Sequence, residues 1–407
     1  MPLFTLPTNL FAASQAVNSG SEISRRSFLA GLGGLAALTI AGCGTSDSDP
    51  DGGHLGDGGH GPDALPSSFP VESDYATLPS RFSAALNVGS DRIVGLATTC
   101  AEPQTGDRNH LFRFDPDAAL PALAQDEFNF EALAGRKLSN FVRRGTTNRA
   151  VVTANDGFYQ LTLGSTAAPR FIEYPSGVTF GGGALYHGAR LYIAAANLDE
   201  ASLAYGDGKI LVYDLDGSNW VIDTPPLQIP TSRRNPTGVA LRGANELVVL
   251  NSGDFSLSSR ASIDIIHTAS NTVARTIQLG ALTAQVSSQI ALSADGRTAV
   301  IGTSDQSGRV LFVDLEAGEV SSPLVLGGTT FHSSVKIDQN LVYVTDFGVD
   351  DRVQPENSRS SVTVLNLATR AVHHTINFLF GAAGLSEIYE GTLIQSVPYG
   401  AVRIVPA

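Results

Sequence analysis

Ala261–Gly280 reads ASIDIIHTASNTVARTIQLG, and Arg309–Gly328 reads RVLFVDLEAGEVSSPLVLGG. Each is a strand of alternating apolar residues, a short polar turn and a second strand. The same plan recurs in Ser361–Phe378 (SVTVLNLATRAVHHTINF) and Lys209–Pro230 (KILVYDLDGSNWVIDTPPLQIP). Before each lies another strand pair, such as Gly238–Arg242 with Glu246–Leu250, or Gln289–Leu292 with Arg297–Gly302. Turn residues punctuate the chain every 8–12 residues or so, and long helical periodicity is absent, which predicts an all-β fold. Four strands per unit at roughly 45–50 residues is the period of a β-propeller blade.

Particular residues carry a resemblance to the YVTN family of β-propellers. Val342-Tyr343-Val344-Thr345-Asp346 is close to the tetrad that names it. Ala291-Leu292-Ser293-Ala294-Asp295-Gly296-Arg297 resembles its turn between first and second strands. Ile263-Asp264-Ile265-Ile266, with Val273 and Thr276-Ile277, resembles its outer hairpin. The likeness covers about residues 236–380, and over 80–235 it holds in rhythm only. It implies a fold and not an activity. The expected architecture is seven four-stranded blades, starting near Arg81, Arg136, Gly177, Asn235, Leu282, Thr329 and Ala382. The last unit, Gly384–Ala407, has room for three strands. A strand near Val71–Thr77 is expected to supply its fourth, closing the ring and removing an open sheet edge.

The N-terminal region carries an address. Ser24-Arg25-Arg26-Ser27-Phe28-Leu29 resembles the twin-arginine export consensus, with Ala30 where that family often has Lys. The uncharged run Phe28–Ala41 is shorter than the roughly 20 apolar residues a membrane span needs, so it is read as the core of a signal peptide. Ile40-Ala41-Gly42-Cys43 resembles the bacterial lipobox, which implies cleavage before Cys43 and a diacylglycerol on its sulfur. Gly44 in place of Asp then favours outer-membrane delivery. The expected division is a signal peptide over 1–42, a Gly/Asp/His tether over 43–68 and the propeller over 69–407. The expected location is the bacterial cell envelope, lipid-anchored at the outer membrane or a periplasmic membrane face.

The chain has a formal net charge of −13. Such a chain repels phosphate backbones, so nucleic acid is not an expected partner. With Cys43 acylated, Cys100 is the one cysteine left and no intramolecular disulfide can form. Repeated Trp docking motifs, as in quinone-dependent propeller dehydrogenases, are excluded because Trp220 stands alone. No Gly-x-Ser-x-Gly elbow, phosphate-binding glycine loop or His-Glu-x-x-His helix is present. A monomer is expected.

Function is expected on the face where second strands hand over to third strands. Those connections carry Asn155, Asn197, Asp199, Asn251, Asp254, Asp305 and Asp346. A ring of such groups suits calcium or another divalent cation, or a cationic or polyhydroxylated ligand; each residue equally suits a turn. His332 opens an axis-lining strand and is read as a metal ligand, a general base or a hydrogen-bonded pore residue. His373 and His374 are adjacent in an outer strand and point to opposite faces, so they cannot share one ion. Two functions stay open: a tethered binding or scaffold module for a protein, glycan or small ligand, and a propeller enzyme such as a lactonase or metal-assisted hydrolase or lyase.

Overall fold

The computed structural model describes residues 65–77, 83–88, 93–97, 110–114, 122–130 (not 124), 138–253 (not 146, 200, 201, 203, 219, 222 and 223), 260–280, 286–303, 308–326, 332–349, 359–379, 384–397 and 400–407. These residues form strands and connections. No helix among them is long and apolar enough to cross a membrane.

After β1 (Val71–Thr77) the chain lays down one sheet after another. Blade A holds β2 (Ser83–Val88), β3 (Ile93–Ala97), β4 (His110–Phe114) and β6 (Gln125–Asn129), with the short β5 (Ala122–Leu123) outside it. Blade B is β7 (Leu138–Arg143), β8 (Arg149–Ala154), β9 (Gly157–Thr162) and β10 (Arg170–Glu173). Blade C is β11 (Phe180–His187), β12 (Arg190–Ala196), β15 (Lys209–Asp214) and β16 (Leu227–Pro230). Its long connection forms a separate hairpin, β13 (Leu198–Asp199) with β14 (Ala204–Tyr205), where the sequence suggested only a loop. Blade D is β17 (Pro236–Arg242), β18 (Glu246–Asn251), β19 (Ser262–His267) and β20 (Thr272–Gln278). Blade E is β21 (Val286–Leu292), β22 (Thr298–Thr303) and β23 (Arg309–Asp314), edged by β24 (Glu319–Val320) and β25 (Leu324–Val325). Blade F is β26 (His332–Asp338), β27 (Leu341–Val349), β28 (Arg359–Asn366) and β29 (Val372–Phe378).

These six sheets are each drawn from one continuous stretch of chain. A further sheet joins the two ends: β30 (Ser386–Tyr389), β31 (Thr392–Val397) and β32 (Gly400–Ile404) are followed by β1, and β5 adds beyond it in parallel. Val71 pairs Ile404 and Glu72 pairs Arg403, antiparallel, in the place the sequence assigns to this strand. Arg403 grips Glu72 with two hydrogen bonds, Nε to Oε2 at 2.6 Å and Nη2 to Oε1 at 3.0 Å. The amides of Ser67 and Ser68 donate to the Ala407 carbonyl, and the Ala407 amide donates back to Ser68. Phe69 fills a core pocket with Leu393, Val402 and Ile404. The first strands β2, β7, β11, β17, β21, β26 and β30 touch one another in that order, and β30 returns to β2.

Alternation explains why the sheets stack. In β18, Leu247 and Val249 pack toward blade C while Val248 and Leu250 pack toward blade E, as a period of two dictates. The seams between blades C and D and between blades D and E are therefore apolar layers. The Ser293–Arg297 turn closes as its sequence suggests. Ser293 Oγ and the Arg297 amide both donate to Asp295 Oδ1, and Gly296 takes φ +65°. The Ser293 hydroxyl, then the Arg297 amide, hold the Asp295 carboxyl below its ordinary range.

The Gly181-Gly182-Gly183 run of β11 lets blades B and C approach. Ser139 Oγ donates to the Gly181 carbonyl at 2.6 Å. A Cβ on Gly181 would stand 1.9 Å from the Tyr174 hydroxyl and 2.7 Å from Cζ of its ring. Gly181→Ala is therefore expected to cost about 1–3 kcal/mol by overpacking. Chemical denaturation measures this, and a midpoint equal to the parent chain would contradict the seam geometry.

Candidate functional site

Register decides what the mouth residues can do. The second strands reach the mouth at Ala154, Ala196, Asn251, Thr303 and Asp346, which pair with Leu138, Phe180, Pro236, Val286 and His332. The pairing slips within the next few residues of the first strand in each case, and in blade A after Ser83. Such irregularities re-aim the backbone at a barrel or ring rim. Asn251 and Asp346 thus sit inside strands, at the level of Ala154 and Ala196. Asn155 and Asn197 lie one residue beyond. Consecutive strand positions face opposite ways, so the expected single ring of equivalent Asn and Asp resolves into two layers.

Asn251 is fully buried rather than presented to a ligand. Its Nδ2 donates to Ser262 Oγ at 3.1 Å and to Asp264 Oδ2 at 2.9 Å. Asp264, also fully buried, is the centre of this knot. The Ser232 amide donates to Oδ2 at 2.7 Å, Thr276 Oγ1 donates to Oδ1 at 2.8 Å, and the Ser232 hydroxyl donates to Oδ1. A buried carboxylate is tolerated only with such a full set of donors. Asp264 therefore pins the strand-to-blade connection at Ser232 onto blade D. In sequence Asp264 stands in the hairpin that resembles the YVTN pattern, and nothing in that resemblance implies this role. The signal was there: one acid inside the apolar run Ile263-Asp264-Ile265-Ile266.

The other expected ligands scatter. Asn155 bridges to Phe180 of the next blade. The Asn197 carbonyl accepts from the Gly206 amide at 2.7 Å, closing the β13–β14 hairpin. Asp199 is exposed on that hairpin and accepts from Ser202 Oγ at 2.6 Å. Asp346 is half-buried within β27, which continues to Val349. Asp254 and Asp305 lie outside the described residues, as do Cys100, Cys43, Arg25, Arg26, Phe28 and Leu29. Among the described residues no three His, Cys, Asp or Glu side chains come together to hold a metal ion.

His332 opens β26 as expected and pairs across the ladder with Asp346. Its ring is only 2% exposed, and neither nitrogen has a hydrogen-bond partner among the described residues. Burial lowers its pKa to about 4, opposed in part by the Gly308 backbone, which is near without reaching bonding geometry. The sign follows from the depressed value. Protonation favours the unfolded chain, so this contribution is intact above pH 6.5 and is lost as the pH falls toward 4. The loss amounts to about 3 kcal/mol. Stability of the parent chain minus that of His332→Gln, measured from pH 7 to 4, is expected to fall by that amount. Parallel curves would contradict a buried neutral imidazole.

Past the bulge, polar side chains tie the first and second strands of neighbouring sheets together. Ser334 Oγ contacts Gln289 Oε1 of blade E at 2.7 Å and Ser386 Oγ of the end-joining sheet at 2.7 Å. Lys336 Nζ donates to Glu387 Oε2 at 3.1 Å across the same seam. Burial raises the Glu387 carboxyl, and Lys336 opposes that shift. Thr345 Oγ1 donates to Gln395 Oε1 at 2.6 Å. These contacts were invisible in sequence because each joins residues about fifty positions apart.

His373 and His374 lie in outer strand β29. The pairing with β28 slips at His373, so the two side chains do not simply alternate as expected. Both pack on Phe69, one edge-on at 5.8 Å and one stacked at 5.3 Å, and His373 Nε2 meets the Pro66 carbonyl at 2.7 Å. They fasten the segment that precedes β1.

No family model matches the sequence, and no curated protein matches it. Among solved structures, the crystal structure of the WD40 β-propeller domain of Doa1 superposes with a TM-score of 0.57 at 9% identity. The match covers 83% of this chain and 97% of that one. At that identity the likeness is one of fold: the chain is a β-propeller, similar in architecture to a WD40 ring.

Proposed function

We propose that this chain is a binding module of the bacterial cell envelope: a YVTN-type ring of seven blades, counting the end-joining sheet, exported by twin arginines and tethered by a lipid on Cys43. The circuit of first strands from β2 to β30 and back supports the count. The ordered run of Arg25-Arg26, Phe28–Ala41 and Cys43 supports the tether. The observation that carries binding over catalysis is the Asp264 knot. Among the described residues, the acid and amide nearest the mouth of blade D are engaged in holding the scaffold, with Asn251 Nδ2 and three further donors on one carboxylate. What the face then offers is a rigid rim carrying connections of unequal length, the usual place for recognition. The β13–β14 hairpin is one of them.

Two results test this. Cys43→Ala is expected to release the protein from the membrane fraction, and full retention would contradict the tether. Replacing the exposed hairpin residues Asp199 and Ser202 by Ala is expected to weaken cross-linking to envelope components with an unchanged melting temperature. Undiminished adducts would contradict recognition through this face.

A further inference from the structure

The other end of the ring holds a group of unmet polar atoms among the described residues. Val142, Val151 and Gln160 form one cross-strand row on blade B, and Tyr186, Leu191 and Tyr213 form the corresponding row on blade C. Val142, Val151, Tyr186, Leu191 and Tyr213 share one core cluster, so the two rows face each other across the seam. Gln160 leaves β9 on the same side as Phe158, two residues earlier, and the Phe158 ring lies 5.0 Å from that of Tyr213. Gln160 is fully buried, Tyr213 is 2% exposed and Tyr186 is 3% exposed. Nonetheless both amide atoms of Gln160 and both phenol oxygens have no hydrogen-bond partner among the described residues. Neither has Nη1 of Arg144, whose guanidinium stands 6.0 Å from the Tyr186 ring centroid.

Each such atom left unmet costs about 1–3 kcal/mol, so five in one seam favour a polar occupant, either ordered water or a small ligand. Four of the five are donors: Arg144 Nη1, Tyr186 OH, Tyr213 OH and Gln160 Nε2. Gln160 Oε1 alone can only accept. The surrounding charge has one sign. The β7–β8 turn, residues 143–149, carries Arg143, Arg144 and Arg149 with no acid, on a chain of net charge −13. Arg149 stacks over Trp220 at 4.1 Å. The acids nearby are engaged: Asp214 pairs with Arg190 at 3.0 Å, and Asp216 Oδ1 accepts from the Ser218 and Trp220 amides. One unmet guanidinium nitrogen flanked by neutral donors matches a planar monoanion better than a tetrahedral dianion.

We propose that the seam between blades B and C is a binding site for a small carboxylate, with Gln160 Oε1 accepting from a hydroxyl on the same ligand. The carboxylate receives Arg144 Nη1, the two phenols and Gln160 Nε2. The site lies at the end of the ring opposite the recognition face and does not depend on it.

The probes are acetate and glycolate, each at up to 100 mM against chloride of equal ionic strength, with the purified full chain. Glycolate is expected to raise the melting temperature by several degrees, acetate by less, and chloride not at all. Calorimetry is expected to give at least tenfold weaker glycolate binding to Tyr213→Phe and to Gln160→Leu. Without ligand, both variants are expected to be as stable as the parent chain, because each removes an unmet group and keeps the shape of the seam. Equal shifts in carboxylate and chloride would overturn the proposal. So would equal binding by parent and variants, or a high-resolution structure in glycolate with ordered water alone on Gln160, Tyr186 and Tyr213.

Discussion

A chain that begins at residue 78 is expected to lose at least 3 kcal/mol of stability and to self-associate. Removing β1 takes Phe69 out of a core shared with Leu393, Val402 and Ile404. It also breaks the Arg403–Glu72 pair and the ladder from Val71 to Ile404. The bared edge of β32 then becomes a template for another chain. Phe69→Ala is the graded version, expected to cost about 3 kcal/mol while leaving the backbone ladder in place. Urea midpoints and light scattering measure both. A truncated chain that stays monomeric with an unchanged midpoint would contradict the closure.

The second large effect belongs to Asp264. Asp264→Ala takes the carboxylate acceptor from the Ser232 amide, the Ser232 hydroxyl and Thr276 Oγ1, and leaves Asn251 Nδ2 with Ser262 Oγ alone. Each buried donor left unmet costs about 1–3 kcal/mol, so the loss is expected to reach at least about 3 kcal/mol. Asp264→Asn keeps one acceptor oxygen and is expected to cost less. The same change should also loosen the connection at Ser232 and the mouth at Asn251, and faster proteolysis there is the second readout. If Asp264→Ala and Asp264→Asn both unfold with the midpoint of the parent chain, the carboxylate is not the pin described.

What was legible in the sequence is what local chemistry controls. Alternation in Glu246–Leu250 and Ser262–Ile266 marks strands whose two faces enter two seams, because side chains alternate whatever stands opposite. Ser293-Ala294-Asp295-Gly296 closes its turn through contacts within five residues. The incomplete final unit and the apolar-polar run at Val71–Thr77 together pointed to a strand shared between the ends. His332 was placed at the head of its strand for the same reason.

What was not legible depends on register and on distant partners. Asn251 and Asp346 looked equivalent to Asn155 and Asn197 in sequence. One residue of offset puts the first pair inside strands and the second pair after them. Asp264 reads as a polar residue on a half-exposed strand until Ser232, thirty-two residues earlier, is seen to cover it. Gln160, Tyr186 and Tyr213 each look ordinary in their own strands. Only the stacking of neighbouring blades brings their unmet groups into one seam.

The account rests on a ring sealed by pairing the first strand with the last. Native-state amide hydrogen exchange across residues 71–77 tests this most directly. If β1 completes the end-joining sheet, its ladder amides exchange as slowly as those of β31 and β32, with opening free energies close to that of global unfolding. Exchange of the 71–77 amides by local opening, while β31 and β32 remain protected, would contradict it.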